Sequence, residues 1–153
     1  MTQAERRRRT AEADELCSAA LAKALDGADD TGVALVAVGG YGRSELAPHS
    51  DLDLVLVHAD EVDVRRVAQE VWYPLWDAGF VTGHGLRTVK ESLALADDDL
   101  DALTSFLDGR TVAGDATLTD DLVAKGRQLA ARRGTRVLTQ LADAAELRRL
   151  RPG

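Results

Sequence analysis

Val38-Gly39-Gly40-Tyr41-Gly42-Arg43-Ser44-Glu45-Leu46-Ala47-Pro48-His49-Ser50-Asp51-Leu52-Asp53-Leu54 is the stretch on which the reading of this chain turns. It is entered from Val33-Ala34-Leu35-Val36-Ala37-Val38, a continuous apolar run rich in valine, the composition of a strand buried on both faces. It leads into Asp51-Leu52-Asp53-Leu54-Val55-Leu56-Val57, a second strand in which residues 51, 53, 55 and 57 share one face. The glycines between permit backbone conformations closed to other residues. Residues 39–50 leave room for one or two turns of helix before Pro48 closes the segment.

Two familiar phosphate loops fail on spacing. A P-loop requires G-x-x-x-x-G-K-[ST], and no lysine lies between Lys23 and Lys90. A dinucleotide fingerprint requires G-x-G-x-x-G opening a full crossover helix, but counted from Gly40 the third glycine position is Glu45. Asp60 sits where a ribose-binding acid would be expected, yet residues 39–50 are too few for a βαβ unit of roughly 30 residues or more.

What remains is a strand, a Gly-Gly turn, a short helix and a strand opening on Asp-x-Asp. Glycine backbone can approach a triphosphate closely and present N–H groups, and two carboxylates two residues apart on a strand project toward one point. Mg²⁺ takes oxygen ligands and is commonly held by one or two carboxylates together with substrate phosphates. Asp51 and Asp53 therefore form a candidate metal seat. The competing reading is an acidic turn, as assigned to Asp29-Asp30, Asp97 to Asp99 and Asp120-Asp121; an apolar strand follows Asp53, where desolvation demands a partner for its carboxylate, and that favours the site.

Outward from the motif, Gln3 to Leu25 reads as a lead helix, frayed at its Arg-rich start and stopped by Gly27. Val67, Val71 and Leu75 mark a helix from about residue 62 to 78, bent or restarted near Pro74, with Trp72 and Trp76 expected in the core rather than against a base. Phe80 to Arg87 reads as a third strand. Thr88-Val89-Lys90-Glu91 has capping-box spacing and starts a helix broken at Asp97-Asp98-Asp99 and ending near Leu107. A short strand from Arg110 to Ala113 and a helix from Thr117 to about Ala131 complete the compact part, and residues 132–153 read as a helical tail, the start of a following region.

With 153 residues the chain matches one domain with one sizeable core. It carries 19 Lys and Arg against 26 Asp and Glu, a net charge of −7, which argues against a sequence-blind grip on nucleic acid. Isoleucine and asparagine are absent and arginine far outnumbers lysine, a pattern of GC-rich coding that takes functional weight from the arginine excess. Cys17 is the sole cysteine, so no disulfide framework or Cys-based zinc cage forms within these residues. No apolar run reaches the roughly 20 residues of a membrane span, and a soluble, cytoplasmic protein is expected.

The stretch from Val38 to Leu54 resembles the signature of the nucleotidyltransferase domain of the bacterial PII uridylyltransferase/uridylyl-removing enzymes, members of the DNA polymerase β-like nucleotidyltransferase superfamily. The likeness continues more loosely through Leu75-Trp76-Asp77-Ala78-Gly79 and Gly83-His84-Gly85-Leu86-Arg87-Thr88, and fades after about Asp115. It implies an α/β domain with a small mixed sheet flanked by helices; residues 1–131 are read as that domain, with its catalytic motif at 38–57. It implies Mg²⁺-dependent transfer of a nucleoside monophosphate from UTP, or from ATP in some relatives, to a tyrosine hydroxyl of a PII nitrogen-regulatory protein, with release of pyrophosphate. By the same resemblance Gly39 and Gly40 receive the triphosphate, Asp51 and Asp53 are catalytic and hold metal, and Arg43 and Ser50 stand beside the phosphates.

Three points depart from the pattern. The superfamily often places a third carboxylate on a neighbouring strand, yet no acid lies between Asp77 and Glu91, and Thr82 and His84 occupy that strand. His84 has two readings: a structural or surface histidine, which is favoured, or a ligand, phosphate contact or proton acceptor. His49 and His58 have weaker claims, and Cys17 is expected to pack inertly. Nothing matches the hydrolase and glutamine-sensing domains of the full enzymes, so nucleotide removal and glutamine control are expected to be absent from this chain. Two alternatives stand beside the leading reading: a stand-alone nucleotidyltransferase with a small-molecule or other protein acceptor, and a catalytically weak regulatory or partner-binding module of the same fold.

Overall fold

Val33–Ala37 is buried at every position, which requires strands on both edges and cover on both faces. The structure, a computed structural model, describes residues 2–46, 51–60 and 64–149, apart from the side chains of residues 83, 84, 137, 140 and 147–149. Its elements run α1 (Gln3–Leu25), β1 (Val33–Ala37), α2 (Gly39–Gly42), β2 (Leu52–His58), α3 (Arg65–Asp77), β3 (Thr82–Arg87), α4 (Val89–Asp98), α5 (Leu100–Leu107), β4 (Arg110–Gly114) and α6 (Ala116–Arg149).

The four strands form one mixed sheet in the order β3-β2-β1-β4, with β1 antiparallel to β2 and β4, and β2 parallel to β3. The antiparallel pairing of β1 with β2, Ala37 opposite Leu54, is what the short connection allows, and it closes off a dinucleotide-type crossover. Parallel β2 and β3 are joined by the longer segment that carries α3. The fold class is the one expected, a small mixed sheet flanked by helices.

Alternation along the strands divides the core. Val33, Leu35, Ala37, Leu52, Leu54 and Leu56 pack with buried residues of α1 and α3, while Ala34, Val36, Val55 and Val57 pack with α4, α5 and α6. At roughly 1.5–3 kcal/mol per fully buried Val or Leu side chain, these two layers are the main source of stability. They also decide the geometry of the motif, because Asp53 lies on the alternation of Val55 and Val57 and so faces the α4–α6 side.

Several local expectations are corrected. The Arg-rich start of α1 is not frayed: Thr2 Oγ1 accepts from Glu5 N at 3.1 Å while Glu5 Oε2 accepts from Thr2 N at 3.1 Å, a closed capping box. α3 is not restarted at Pro74; it runs as one helix to Asp77, because Val67, Val71, Trp72 and Leu75 pin one face to the core across the lost hydrogen bond. Trp72 is buried as expected, but Trp76 is 43% exposed; its Nε1 donates to Thr82 Oγ1 at 2.8 Å and its ring meets Tyr73 edge-on at 5.7 Å.

The helix expected to stop near Ala131 continues as α6 to Arg149, joined without a break to the stretch expected to form a helical tail. Gly134 costs a helix interior only about 1 kcal/mol, and the helix is held on both sides of it: Arg133 Nη1 donates to Ala96 O at 3.1 Å and Arg136 pairs with Asp97 at 3.6 Å. The break at Asp97 to Asp99 is present, with Asp99 Oδ1 capping α5 through the amides of Asp101 and Ala102. The capping box of Thr88 and Glu91 opens α4. No described helix is long and apolar enough to cross a membrane.

Candidate active site

β1 ends in the extended Val38, and the chain turns at Gly39, whose φ of +56° lies in the region that favours glycine. The turn closes on itself: the amides of Gly42 and Arg43 donate to Val38 O and Gly39 O, each at 3.0 Å, and Glu45 N donates to Gly40 O at 2.9 Å. The amides that open a helical turn have no acceptor within it, so the start of this segment has donors to offer an anion. Val38 N donates to Asp53 O at 3.0 Å, tying the turn to the start of β2.

A Cβ placed on Gly39 would lie 3.2 Å from Asp53 Oδ2 and 3.1 Å from Ser105 Oγ. The glycine turn, the Asp53 carboxylate and the C-terminal half of α5 therefore meet at one corner. Gly42 answers a different need: a Cβ there would run into the carbonyl oxygen of Asp108, so α2 and the end of α5 touch backbone to backbone.

Asp53 is part-buried in β2 and Asp51 is exposed just ahead of it. Burial pushes the Asp53 carboxyl above the usual carboxylate range, and the neighbouring Asp51 charge adds to the shift. Among the described residues no hydrogen bond or ion pair reaches this carboxylate. Two acids sharing a face, one of them desolvated and unpaired, are a donor set suited to a hard divalent cation whose remaining positions are filled by water or phosphate oxygens. Among the described residues no group of three or more His, Cys, Asp or Glu side chains could hold a metal without such help.

In register on the neighbouring strand, Thr82 stands opposite Leu52, Gly83 opposite Asp53 and His84 opposite Leu54, so the position beside Asp53 carries no side chain. His58 closes the far end of β2, with Nδ1 2.9 Å from Ala59 O, away from Asp53. Ser50 and His49 lie outside the described residues. Cys17 is buried, with its thiol pushed up to about 11 by burial, and packs as expected.

Arg43 stands beside Gly40, with Nη2 3.8 Å from where a Cβ would lie. Its guanidinium is engaged on two sides, Nε to Glu45 Oε2 at 3.1 Å and Nη1 to Asp108 Oδ2 at 2.7 Å, and these bonds push its pKa further up. The cation thus fastens the glycine turn to the end of α5, held in orientation by two carboxylates.

Sequence reasoning missed a second anchor, beneath the turn. Tyr41 is only 1% exposed, and its hydroxyl donates to Asp14 Oδ1 at 2.6 Å, with Cys17 Sγ 3.7 Å from the same oxygen. Arg110 of β4 donates to both Asp14 oxygens, at 2.8 and 3.3 Å, and to Tyr41 O at 3.1 Å, with its guanidinium 5.3 Å from the centre of the Tyr41 ring. Burial and the Asp14 and Cys17 contacts push the Tyr41 phenol far up, so it stays a donor. Residues far apart in sequence thus hold the middle of the glycine turn, a connection that no local pattern signals.

No family model matches the chain. It is 48% identical over 98 residues to the bifunctional uridylyltransferase/uridylyl-removing enzyme of Mycobacterium tuberculosis, covering 63% of this chain and 12% of that protein. It is 47% identical over 96 residues to the enzyme of the same name from Streptomyces coelicolor, covering 61% of this chain and 12% of that one. A solved toxin–antitoxin structure with AMP-PNP aligns with a TM-score of 0.47 at 13% identity, covering 82% of this chain and 96% of that one. The chain spans about 12% of the length of these curated relatives. Over 96 to 98 residues the chain is thus similar to enzymes named as bifunctional uridylyltransferase/uridylyl-removing enzymes.

Proposed function

We propose that this chain is a nucleotidyltransferase domain that moves UMP from UTP, or AMP from ATP, onto a tyrosine hydroxyl of a PII signal-transduction protein, releasing pyrophosphate, with Mg²⁺ held by Asp51 and Asp53. The observation that carries the reading is the part-buried carboxylate of Asp53, without a hydrogen-bond or ion-pair partner among the described residues, set against the positive-φ turn at Gly39. The similarity to named uridylyltransferases supports the reaction class.

In this reading Gly39 and Gly40 let the triphosphate come close to backbone donors, and Arg43, clamped by Glu45 and Asp108 through Nε and Nη1, keeps Nη2 as a donor beside Gly40. Asp51 and Asp53 orient the donor for in-line attack at the α-phosphorus. The bound cation supplies charge neutralisation on the phosphates and lowers the pKa of the attacking hydroxyl. The α-phosphorus–oxygen bond to pyrophosphate breaks as the bond to the acceptor oxygen forms, and the hydroxyl proton leaves to solvent or base.

Incubation with UTP or ATP, Mg²⁺ and purified PII protein tests the reading by mass: a UMP or AMP adduct that disappears with Asp53→Asn supports it, and a comparable adduct from the variant overturns the assignment of Asp53. A second reading, a nucleotide-binding module without turnover, is favoured by the glycine that stands in register with Asp53. Mg²⁺-dependent triphosphate binding without any adduct would select it. Absence of metal-dependent binding in the parent chain would sink both.

A further inference from the structure

α5 enters the site although nothing in its sequence announces a functional role. Its position is set at three points: Asp99 caps its first turn, Leu103 and Phe106 bury one face in the core, and Asp108 just beyond its end pairs with Arg43 at 2.7 Å. So held, it brings Ser105 Oγ to 3.1 Å from the point where a Cβ of Gly39 would stand, beside Asp53 Oδ2 at 3.2 Å from the same point. The backbone carbonyl of Ser105 accepts from Asp108 N. Its hydroxyl has no hydrogen-bond partner among the described residues, Asp53 included.

A part-exposed hydroxyl held on a fixed helix, with its proton uncommitted, is a neutral donor placed among acids. That is what a polyanion needs here. A phosphate oxygen drawn toward a cation on Asp53 also approaches a carboxylate that repels it, and a hydroxyl proton offsets part of that repulsion without adding charge. We propose that Ser105 is a triphosphate-contacting residue of this site, its hydroxyl donating to a phosphate oxygen of the nucleoside triphosphate in the corner between Gly39 and Asp53. The assignment rests on the nucleotidyltransferase reading above.

The test compares the parent chain with Ser105→Ala, using UTP and ATP with Mg²⁺ and purified PII protein. Loss of one hydrogen bond to a charged oxygen predicts a rise of about tenfold or more in KM for the triphosphate. KM for the PII protein and the melting temperature should stay unchanged, because the hydroxyl bonds to no described residue. Equal triphosphate KM in the two proteins overturns the role of Ser105 while leaving the transferase reading intact. A lowered melting temperature with both KM values raised alike shows a structural role and also overturns it. A parent chain without Mg²⁺-dependent triphosphate binding overturns this inference and the transferase reading together.

Discussion

Tyr41→Phe, Asp14→Ala and the double variant form a cycle that measures how firmly the glycine turn is anchored from below. Phenylalanine preserves the buried ring and removes only the hydroxyl. The hydrogen bond lost, 2.6 Å to a carboxylate, belongs to the stronger class worth roughly 1.5–3 kcal/mol. Asp14 keeps two bonds from Arg110, so the lower end applies and Tyr41→Phe should cost about 1.5 kcal/mol.

Asp14→Ala is worse, because it leaves the buried Tyr41 hydroxyl without its carboxylate and frees the Arg110 fork, whose buried Nε already has no partner among the described residues. Partial exposure of Arg110 allows water to satisfy some of the fork, which places the cost at about 3 kcal/mol. With phenylalanine at 41 no hydroxyl is left stranded, so Asp14→Ala should then cost only about 1.5 kcal/mol, giving a coupling of roughly 1.5 kcal/mol. In a domain of this size the single variants should melt lower by roughly 3–6 °C and 6–12 °C.

Urea unfolding monitored by circular dichroism, with calorimetric melting as the second probe, measures all four proteins. Additivity within about 0.5 kcal/mol would refute the reasoning, since independent sites add to that tolerance and residues sharing a bond do not. Both single variants should also weaken triphosphate binding, because Tyr41 lies within the turn that forms the site.

The remaining predictions concern the turn and the carboxylate. Gly42→Ala forces a methyl group against the carbonyl of Asp108, so the end of α5 must shift; a stability loss of about 1–3 kcal/mol by urea unfolding is expected, with loss of triphosphate binding. The folded chain holds a proton on Asp53 more tightly than the unfolded chain does, so ionising it costs stability as pH rises from the ordinary carboxylate range through its raised value, and the cost is full above that value. Asp53→Asn should remove this segment of the pH–stability curve and leave the metal-free variant at least as stable as the parent at neutral pH. Mg²⁺ should raise the melting temperature of the parent only. A variant less stable than the parent across the whole pH range would contradict the assignment of Asp53 as an unpaired carboxylate.

Much of the architecture is readable locally because the signals are themselves local. The capping spacing of Thr88 and Glu91 satisfies amides within one turn, and the valine run of β1 can be accommodated only between two apolar layers. The brevity of residues 39–50 is enough to exclude a parallel crossover, and Asp51 and Asp53 stand out because the alternation that buries Leu52 and Leu54 leaves them on the other face. The helical stripe that carries Trp72 into the core passes near Trp76 as well, and only the position of β3 shows that the second ring ends beside Thr82. Pro74 and Gly134 carry local breaking tendencies of a few kcal/mol or less, which tertiary contacts on either side of each outweigh.

By itself, then, the sequence determined the strand–turn–strand motif, the placing of two carboxylates on one strand face and the Thr88–Glu91 helix cap, since hydrogen bonds and alternation over a few residues decide them. Only the tertiary structure decided that Asp14 and Arg110 hold Tyr41, that Arg43 is pinned to Asp108, and that Ser105 stands beside Asp53. Those contacts join residues tens of positions apart, and their existence depends on how α1, α5 and β4 pack around one sheet, a property of the folded chain as a whole.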